Sequence, residues 1–239
     1  PPPPFFTDPP TTENYTTAKS SAASDVYKRQ AESSDCLNRL DFVSDRARAR
    51  LETYVALLVK WQKVHNLVSA ATLDEVWSRH VLDSAQLLGL VPDARRWIDL
   101  GSGAGFPGMV IAILLAETDG AHVTLVESNA KKCAFLRAVA RETNAPVDVA
   151  CERIESFAQR HHDGVDVISA RALASFADLC ALAAPMMGED TALLLLKGQD
   201  FVYEEQEASK CWGYDLNLTD SVTDPGGRVV TVRNLKGKG

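Results

Sequence analysis

The stretch from Trp97 to Ile113, WIDLGSGAGFPGMVIAI, constrains the fold more than any other part of the chain. A short apolar run, Trp97-Ile98-Asp99-Leu100, meets glycines at 101, 103 and 105, and a second apolar stretch begins at Met109. The pattern predicts strand, tight loop and helix. Glycine takes backbone conformations closed to other residues and lets a ligand approach without a side chain in the way, while a helix start offers N–H groups that have no partner inside the helix. This is a cofactor-binding turn.

Strands and helices alternate after it. Strands are expected at 122–126, 146–151, 165–168 and 192–196, with helices at 131–142, from Glu152 through Phe157, and at 173–187. A last pair of strands, 213–222 and 228–233, is divided by Asp224-Pro-Gly-Gly227, a strong turn signal. Alternation of this kind implies an α/β fold of Rossmann-like type. Its sheet is mainly parallel, with right-handed crossovers and an antiparallel pair at one edge. Ligands in such sheets sit beyond the carboxyl ends of the strands. Gly101, Glu127, Ile154, Glu155, Arg171 and Lys197 are all expected there, facing one crevice.

Ahead of this core, Leu51, Tyr54, Val55, Leu58, Trp61 and Val64 recur at helical spacing from Ser44 to about Ala71, with Arg46, Arg48, Arg50, Lys60 and Lys63 among them. A second helix is expected after Thr72, running to Leu88, in which His80 and Asp83 are neighbours at i, i+3. Residues 1–44 read as a disordered leader, its first thirty residues without periodicity and worded like a translated adaptor, a sequencing or gene-prediction artefact. The expected division is therefore leader 1–44, helical extension 45–95 and core 96–239.

Composition then excludes several classes of function. A formal charge of −7 and a pI near 5.3 do not suit a protein that holds bare nucleic acid by bulk electrostatics. Five cysteines without a C-x-x-C pair indicate neither a disulfide framework nor a zinc site, so no metal is expected and a reducing cytoplasm fits. No apolar run approaches the roughly 20 residues of a membrane-spanning helix.

The string GAGFPG, residues 103–108, formally matches the dinucleotide pattern G-x-G-x-x-G, so an NAD(P)-dependent oxidoreductase is one reading. Asp99 would repel a pyrophosphate, and Pro107 removes an N–H from the loop that would cradle it. S-adenosylmethionine suits the turn better, because it lacks a pyrophosphate and its cations tolerate Asp99. Glu127, at the end of the next strand, is placed to accept hydrogen bonds from ribose hydroxyls of either cofactor.

Several blocks together carry a more specific signal: Trp61-Gln-Lys-Val-His-Asn66-Leu67, Arg79-His80-x-x-Asp83-Ser84, Asp99-Leu-Gly-Ser-Gly-Ala-Gly-Phe-Pro-Gly108, Glu127-Ser128 with Lys131-Lys132 and Phe135-Leu136, Ser169-Ala-Arg171-Ala-Leu-Ala174, and Leu196-Lys197-Gly198. In order and spacing, over roughly residues 45 to 235, they resemble the RsmG (GidB) family. The resemblance implies a class I S-adenosylmethionine-dependent methyltransferase fold and methylation of the 7-nitrogen of one guanine in 16S rRNA of the small ribosomal subunit. It implies cofactor contacts from Gly101, Phe106, Ile154, Glu155 and Arg171, with Glu127 as the ribose-binding acid; the glycine turn itself adds Asp99, Gly103 and Gly105 to the expected cofactor-binding set. Arg171 and Lys197 are expected to position the RNA, with Lys63, Asn66, His80 and Asp83 on the same substrate side. Ile154 stands where alanine or valine is usual in the family. The 7-nitrogen carries a lone pair and no proton, so alignment and desolvation are expected to suffice without a general base. The acidic balance predicts recognition of a shaped ribonucleoprotein surface by a monomer, with basic side chains of the 46–63 helix near phosphates. A non-catalytic RNA-binding or assembly protein that retains the fold is a third reading.

Overall fold

The structure, a computed structural model, describes residues 34–161 and 164–238; the disorder expected over the first thirty residues lies outside them. Seven strands form one sheet: β1 (Arg96–Leu100), β2 (His122–Val126), β3 (Val147–Ala150), β4 (Val167–Arg171), β5 (Ala192–Lys197), β6 (Trp212–Asp220) and β7 (Arg228–Gly237). Their spatial order is β3-β2-β1-β4-β5-β7-β6. The first five are parallel, in agreement with the crossovers expected from the alternating pattern. The chain reverses at β1, whose neighbours are β2 and β4, so the glycine turn emerges at the point where crossovers leave to opposite sides. Of the antiparallel pair, β6 is the edge, whereas β7 inserts between β6 and β5 and buries Val229, Val230 and Val232.

Helices cover both faces and divide the core in two. On one face lie α1 (Asp45–Gln62), α3 (Asp83–Leu90), α4 (Gly108–Leu114) and α5 (Ala130–Thr143), with a single turn, α2 (Ala70–Leu73), between α1 and α3 in the chain. On the other lie α6 (Ile154–Arg160), α7 (Phe176–Ala183) and α8 (Phe201–Ala208). Helix starts are fixed by side chains that satisfy otherwise unpaired N–H groups: the Ser44 hydroxyl accepts from Ala47 N at 3.1 Å, and Asn129 Oδ1 accepts from Lys131 N and Lys132 N at 2.9 and 3.3 Å.

Four departures from the expected elements have local causes. α1 stops at Gln62 because the Gln62 amide turns back on the chain, accepting from Leu67 N and Val68 N at 2.9 and 3.1 Å and donating to the Val68 carbonyl at 2.8 Å. The helix expected over 72–88 is three pieces: α2, a π-helical stretch at Trp77–Leu82, and α3. α7 begins at Phe176 rather than Leu173, since the Ser175 hydroxyl caps Asp178 N at 3.3 Å. Order also begins before residue 45. Asp35–Arg39 forms a 3-10 turn with Leu37 fully buried, and Arg48 on α1 donates to Asn38 Oδ1 at 2.6 Å, so structure packed on α1 begins before residue 45.

Candidate active site at the carboxyl ends of the strands

The glycine turn is built by exclusion of side chains. Gly101 has φ +65°, and a Cβ there would lie 2.6 Å from Leu173 Cδ1. Gly108 opens α4 so close to β1 that a Cβ would meet Leu125 Cδ2 at 2.4 Å and Asp99 Cβ at 2.5 Å. The Gly103 N–H donates to Glu127 Oε2 at 2.9 Å, and Asn129 N donates to Glu127 Oε1 at 2.7 Å. Both carboxylate oxygens are thus held by backbone, at the end of β2. Glu127 lines a crevice of about 380 Å³ with Gly101, Ser128, Ile154, Glu155 and Leu173.

Asp99 lies beneath this turn, wholly buried. Its Oδ1 accepts the Ser169 hydroxyl at 2.8 Å across the β1–β4 register, and its Oδ2 has no hydrogen-bond partner among the described residues. Burial raises its carboxyl to about 6, against the lowering pull of the Ser169 hydroxyl. Asp99 therefore ties two strands together and does not face the crevice.

Arg171 marks the end of β4, and Ala172 follows it with φ +49°, a conformation that non-glycine residues adopt at a cost and that recurs at functional sites. The turn sends Ala172 and Leu173 to the crevice and Arg171 to its other side. There the guanidinium lies over the Phe106 ring, 5.1 Å from the centroid, donates from Nη1 to the Arg79 carbonyl at 3.0 Å, and faces Asp83 Oδ2 at 3.5 Å. Phe106 also stacks on His80 at 4.9 Å and meets the Tyr54 ring, tilted, at 5.3 Å. Burial, followed by the charges of Arg171 and Arg79, lowers the His80 imidazole to about 4, so it is neutral at pH 7. Its Nε2 meets the Thr72 hydroxyl at 3.0 Å.

A second, smaller cleft of about 190 Å³ opens beside Arg171, lined by Arg79, Asp83, Lys197, Thr223 and Arg228 among others. The single crevice expected at the strand ends is therefore two spaces. Gly101, Glu127, Ile154 and Glu155 line one, and Arg171, Lys197 and Asp83 line the other. Phe106, Gly105 and His80 stand behind the wall, and a Cβ on Gly105 would lie 2.7 Å from Met109 Cβ. Lys197 is largely engaged: its Nζ donates to Glu204 Oε2 at 2.6 Å and to the Ala174 carbonyl at 3.1 Å, with the side chain 10% exposed. Lys63 and Asn66 are exposed at the end of α1 and line neither space. Arg46 pairs with Glu117 beyond α4, and Arg48 holds Ser34 and Asn38, so these two cations brace the extension rather than offering a free basic face.

Sequence reasoning missed Tyr54 and Thr223. The Tyr54 hydroxyl donates to the Ala104 carbonyl inside the glycine turn at 2.6 Å, and the Thr223 hydroxyl donates to Asp83 Oδ1 at 2.7 Å. Tyr54 reads as one apolar position of a helix, and Thr223 as part of a turn; only tertiary structure gives their hydroxyls a partner.

The family model described as "rRNA small subunit methyltransferase G" (GidB) matches residues 47–223. Among similar proteins, the ribosomal RNA small subunit methyltransferase G of Parvibaculum lavamentivorans is 52% identical over 209 residues, 87% of this chain and 92% of that one. The protein of the same name from Methylorubrum populi is 49% identical over 193 residues, 81% of this chain and 91% of its own. Solved structures of like fold include an O-methyltransferase from Bacillus cereus in complex with SAH, with TM-score 0.54, 14% identity and coverage of 84% of this chain and 96% of that one. A variant of MtNAS in complex with S-adenosylmethionine has TM-score 0.52 at 15% identity, covering 84% of this chain and 83% of that one.

Proposed function

Because this chain belongs to the GidB family of small-subunit rRNA methyltransferases, we propose that it transfers the methyl group of S-adenosylmethionine to the 7-nitrogen of a guanine in the 16S rRNA of the small ribosomal subunit. The observation that carries this reading is the pair of adjoining spaces divided at Arg171–Ala172. The crevice of about 380 Å³ falls within the range of small-ligand pockets, whereas the cleft of about 190 Å³ falls below it and suits a single inserted base better than a second cofactor.

The residues present fit the methyl donor. Gly101 lets Leu173 pack directly against the turn at the crevice wall, and Glu127 uses two of its roughly four acceptor sites on backbone N–H groups, which leaves others for ribose hydroxyls. Ile154 and Glu155 close the far side. When bound, S-adenosylmethionine supplies an electrophilic methyl group. The rest is done by the chain. Arg171, fixed over Phe106, presents a planar cation to the base or its phosphate, and Arg79 and Arg228, paired with Glu75 and Asp220, line the same cleft. Beside the smaller cleft, His80 is a weak base, its imidazole lowered to about 4, and Asp83 is occupied by Thr223 and Arg171. This fits a reaction at a nitrogen that bears no proton.

A protein of charge −7 with only local cations is expected to act as a monomer in the cytoplasm on the assembled small subunit rather than on free RNA. Among the described residues no helix is long and apolar enough to cross a membrane. The named relatives are methyltransferases, so neither the dehydrogenase nor the non-catalytic reading is favoured. The test is to incubate the protein with S-adenosylmethionine and small subunits from a strain lacking its own enzyme, then map methylated guanine. One modified guanine, formed faster on subunits than on naked 16S RNA, is the expected result. No product on either, or stabilisation by NAD but not by S-adenosylhomocysteine in a thermal-shift comparison, overturns the reading.

A further inference from the structure

The β6–β7 turn reaches back onto the start of α3 through a knot of polar side chains. The Thr223 hydroxyl donates to Asp83 Oδ1 at 2.7 Å, where Gln86 Nε2 also donates at 2.9 Å. Gln86 Oε1 accepts from Val222 N at 3.0 Å, and Ser221 Oγ accepts from Thr223 N at 3.2 Å. Oδ1 is thereby filled from the turn and from α3, and Oδ2 is left facing Arg171 Nη1 at 3.5 Å. The Asp83 carboxylate is held by its shortest bond, to Thr223, together with donors from Gln86 and from Ser221 at 3.5 Å, and it in turn faces the guanidinium that lies over Phe106.

We propose that Thr223 and Asp83 are positioning residues for methyl transfer: the threonine hydroxyl orients the Asp83 carboxylate, which places Arg171 against the acceptor base in the smaller cleft. The inference rests on the methyltransferase reading above. Neither residue handles a proton of the reaction. Their role is geometric, and a displacement of about 1 Å in a positioning group costs on the order of a hundredfold in rate. Removing the hydroxyl touches the acceptor cleft and leaves the residues that line the methyl-donor crevice unaltered.

The experiment compares Thr223→Val, Thr223→Ala and Thr223→Ser with the wild type on small ribosomal subunits, measuring kcat, KM for the subunit, and S-adenosylhomocysteine affinity by calorimetry. Thr223→Val and Thr223→Ala are expected to lower kcat about ten- to a hundredfold, while S-adenosylhomocysteine affinity stays within about twofold. Thr223→Ser, which restores a hydroxyl, is expected to recover most of the rate. The alanine variant keeps the test sound if valine crowds the turn. Wild-type kcat in both hydroxyl-free variants, a parallel loss of rate and S-adenosylhomocysteine affinity, or no recovery with serine overturns the proposal. A wild-type protein that fails to methylate the subunits refutes the methyltransferase reading itself, so the two failures are distinguishable.

Discussion

Tyr54→Phe isolates one hydrogen bond that joins the helical extension to the glycine turn. The Tyr54 hydroxyl and the Ala104 carbonyl are both buried and 2.6 Å apart, and burial holds the phenol well above its ordinary value, so it is a neutral donor across the working range of pH. Phenylalanine keeps the ring contacts with Phe106 at 5.3 Å and Phe135 at 6.3 Å and loses the oxygen alone. It leaves the Ala104 carbonyl buried without this donor. A buried group stripped of its partner costs about 1–3 kcal/mol, and for a domain of this size each kcal/mol lowers Tm by roughly 2–4 °C. A loss of about 2 kcal/mol, or roughly 4–8 °C, is expected, measured by urea unfolding at unchanged m-value and by calorimetry. Because the orphaned carbonyl belongs to the turn beside the crevice, S-adenosylhomocysteine should also bind several-fold more weakly. Thr53→Ala serves as the control: Thr53 is an exposed neighbour on α1 whose hydroxyl bonds within its own helix. A Tyr54→Phe variant as stable as this control, with unaltered S-adenosylhomocysteine affinity, would refute the idea that the extension braces the turn.

Two further outcomes concern charge. Asp99, raised to about 6 from 3.8, binds its proton more tightly when folded, so its contribution to stability falls as pH rises from about 4 to 6. His80, lowered to about 4 from 6.5, contributes the opposite slope, its stabilisation growing as pH rises from about 4 to 6.5. The two slopes oppose each other between about pH 4 and 6. In urea unfolding across that range, Asp99→Asn should steepen the gain of stability with pH relative to wild type, and His80→Gln should turn the slope downward; equal slopes in all three proteins would count against both assignments. Lys197→Met should destabilise by about 2–4 kcal/mol, by leaving Glu204 and the Ala174 carbonyl without their cation, and Lys197→Arg should recover most of that loss. If the arginine variant is as stable as wild type yet inactive on small subunits, Lys197 has a direct role at the acceptor.

The fold was legible because its cues are local. Alternating apolar runs and crossovers fix a parallel sheet, the Asp-Pro-Gly-Gly turn fixes the last hairpin, and both appear where expected. Elements set by side chains acting at a distance were less legible. Gln62 ends α1 by bonding six residues ahead, and α8, FVYEEQEA, gives a weak apolar pattern because most of its face is exposed. Of the residues expected at the strand ends, Glu127 and Ile154-Glu155 line one crevice, and Arg171 and Lys197 a neighbouring cleft. Sequence spacing did not separate the two spaces, since that division depends on the left-handed turn at Ala172, an alanine where only glycine would have announced it. Nor did it separate Asp99 and Phe106, which support the site from below, from residues that line it.

The knot between α3 and the β6–β7 turn joins positions separated by as many as 140 residues, as in the bond from Thr223 to Asp83. The larger crevice takes none of its lining residues from beyond Leu182, whereas the smaller cleft takes Thr223 and Arg228. Synthesis proceeds from the amino terminus, and long loop closures form late in folding. The residues that line the larger crevice are therefore synthesised tens of residues before those that complete the smaller cleft.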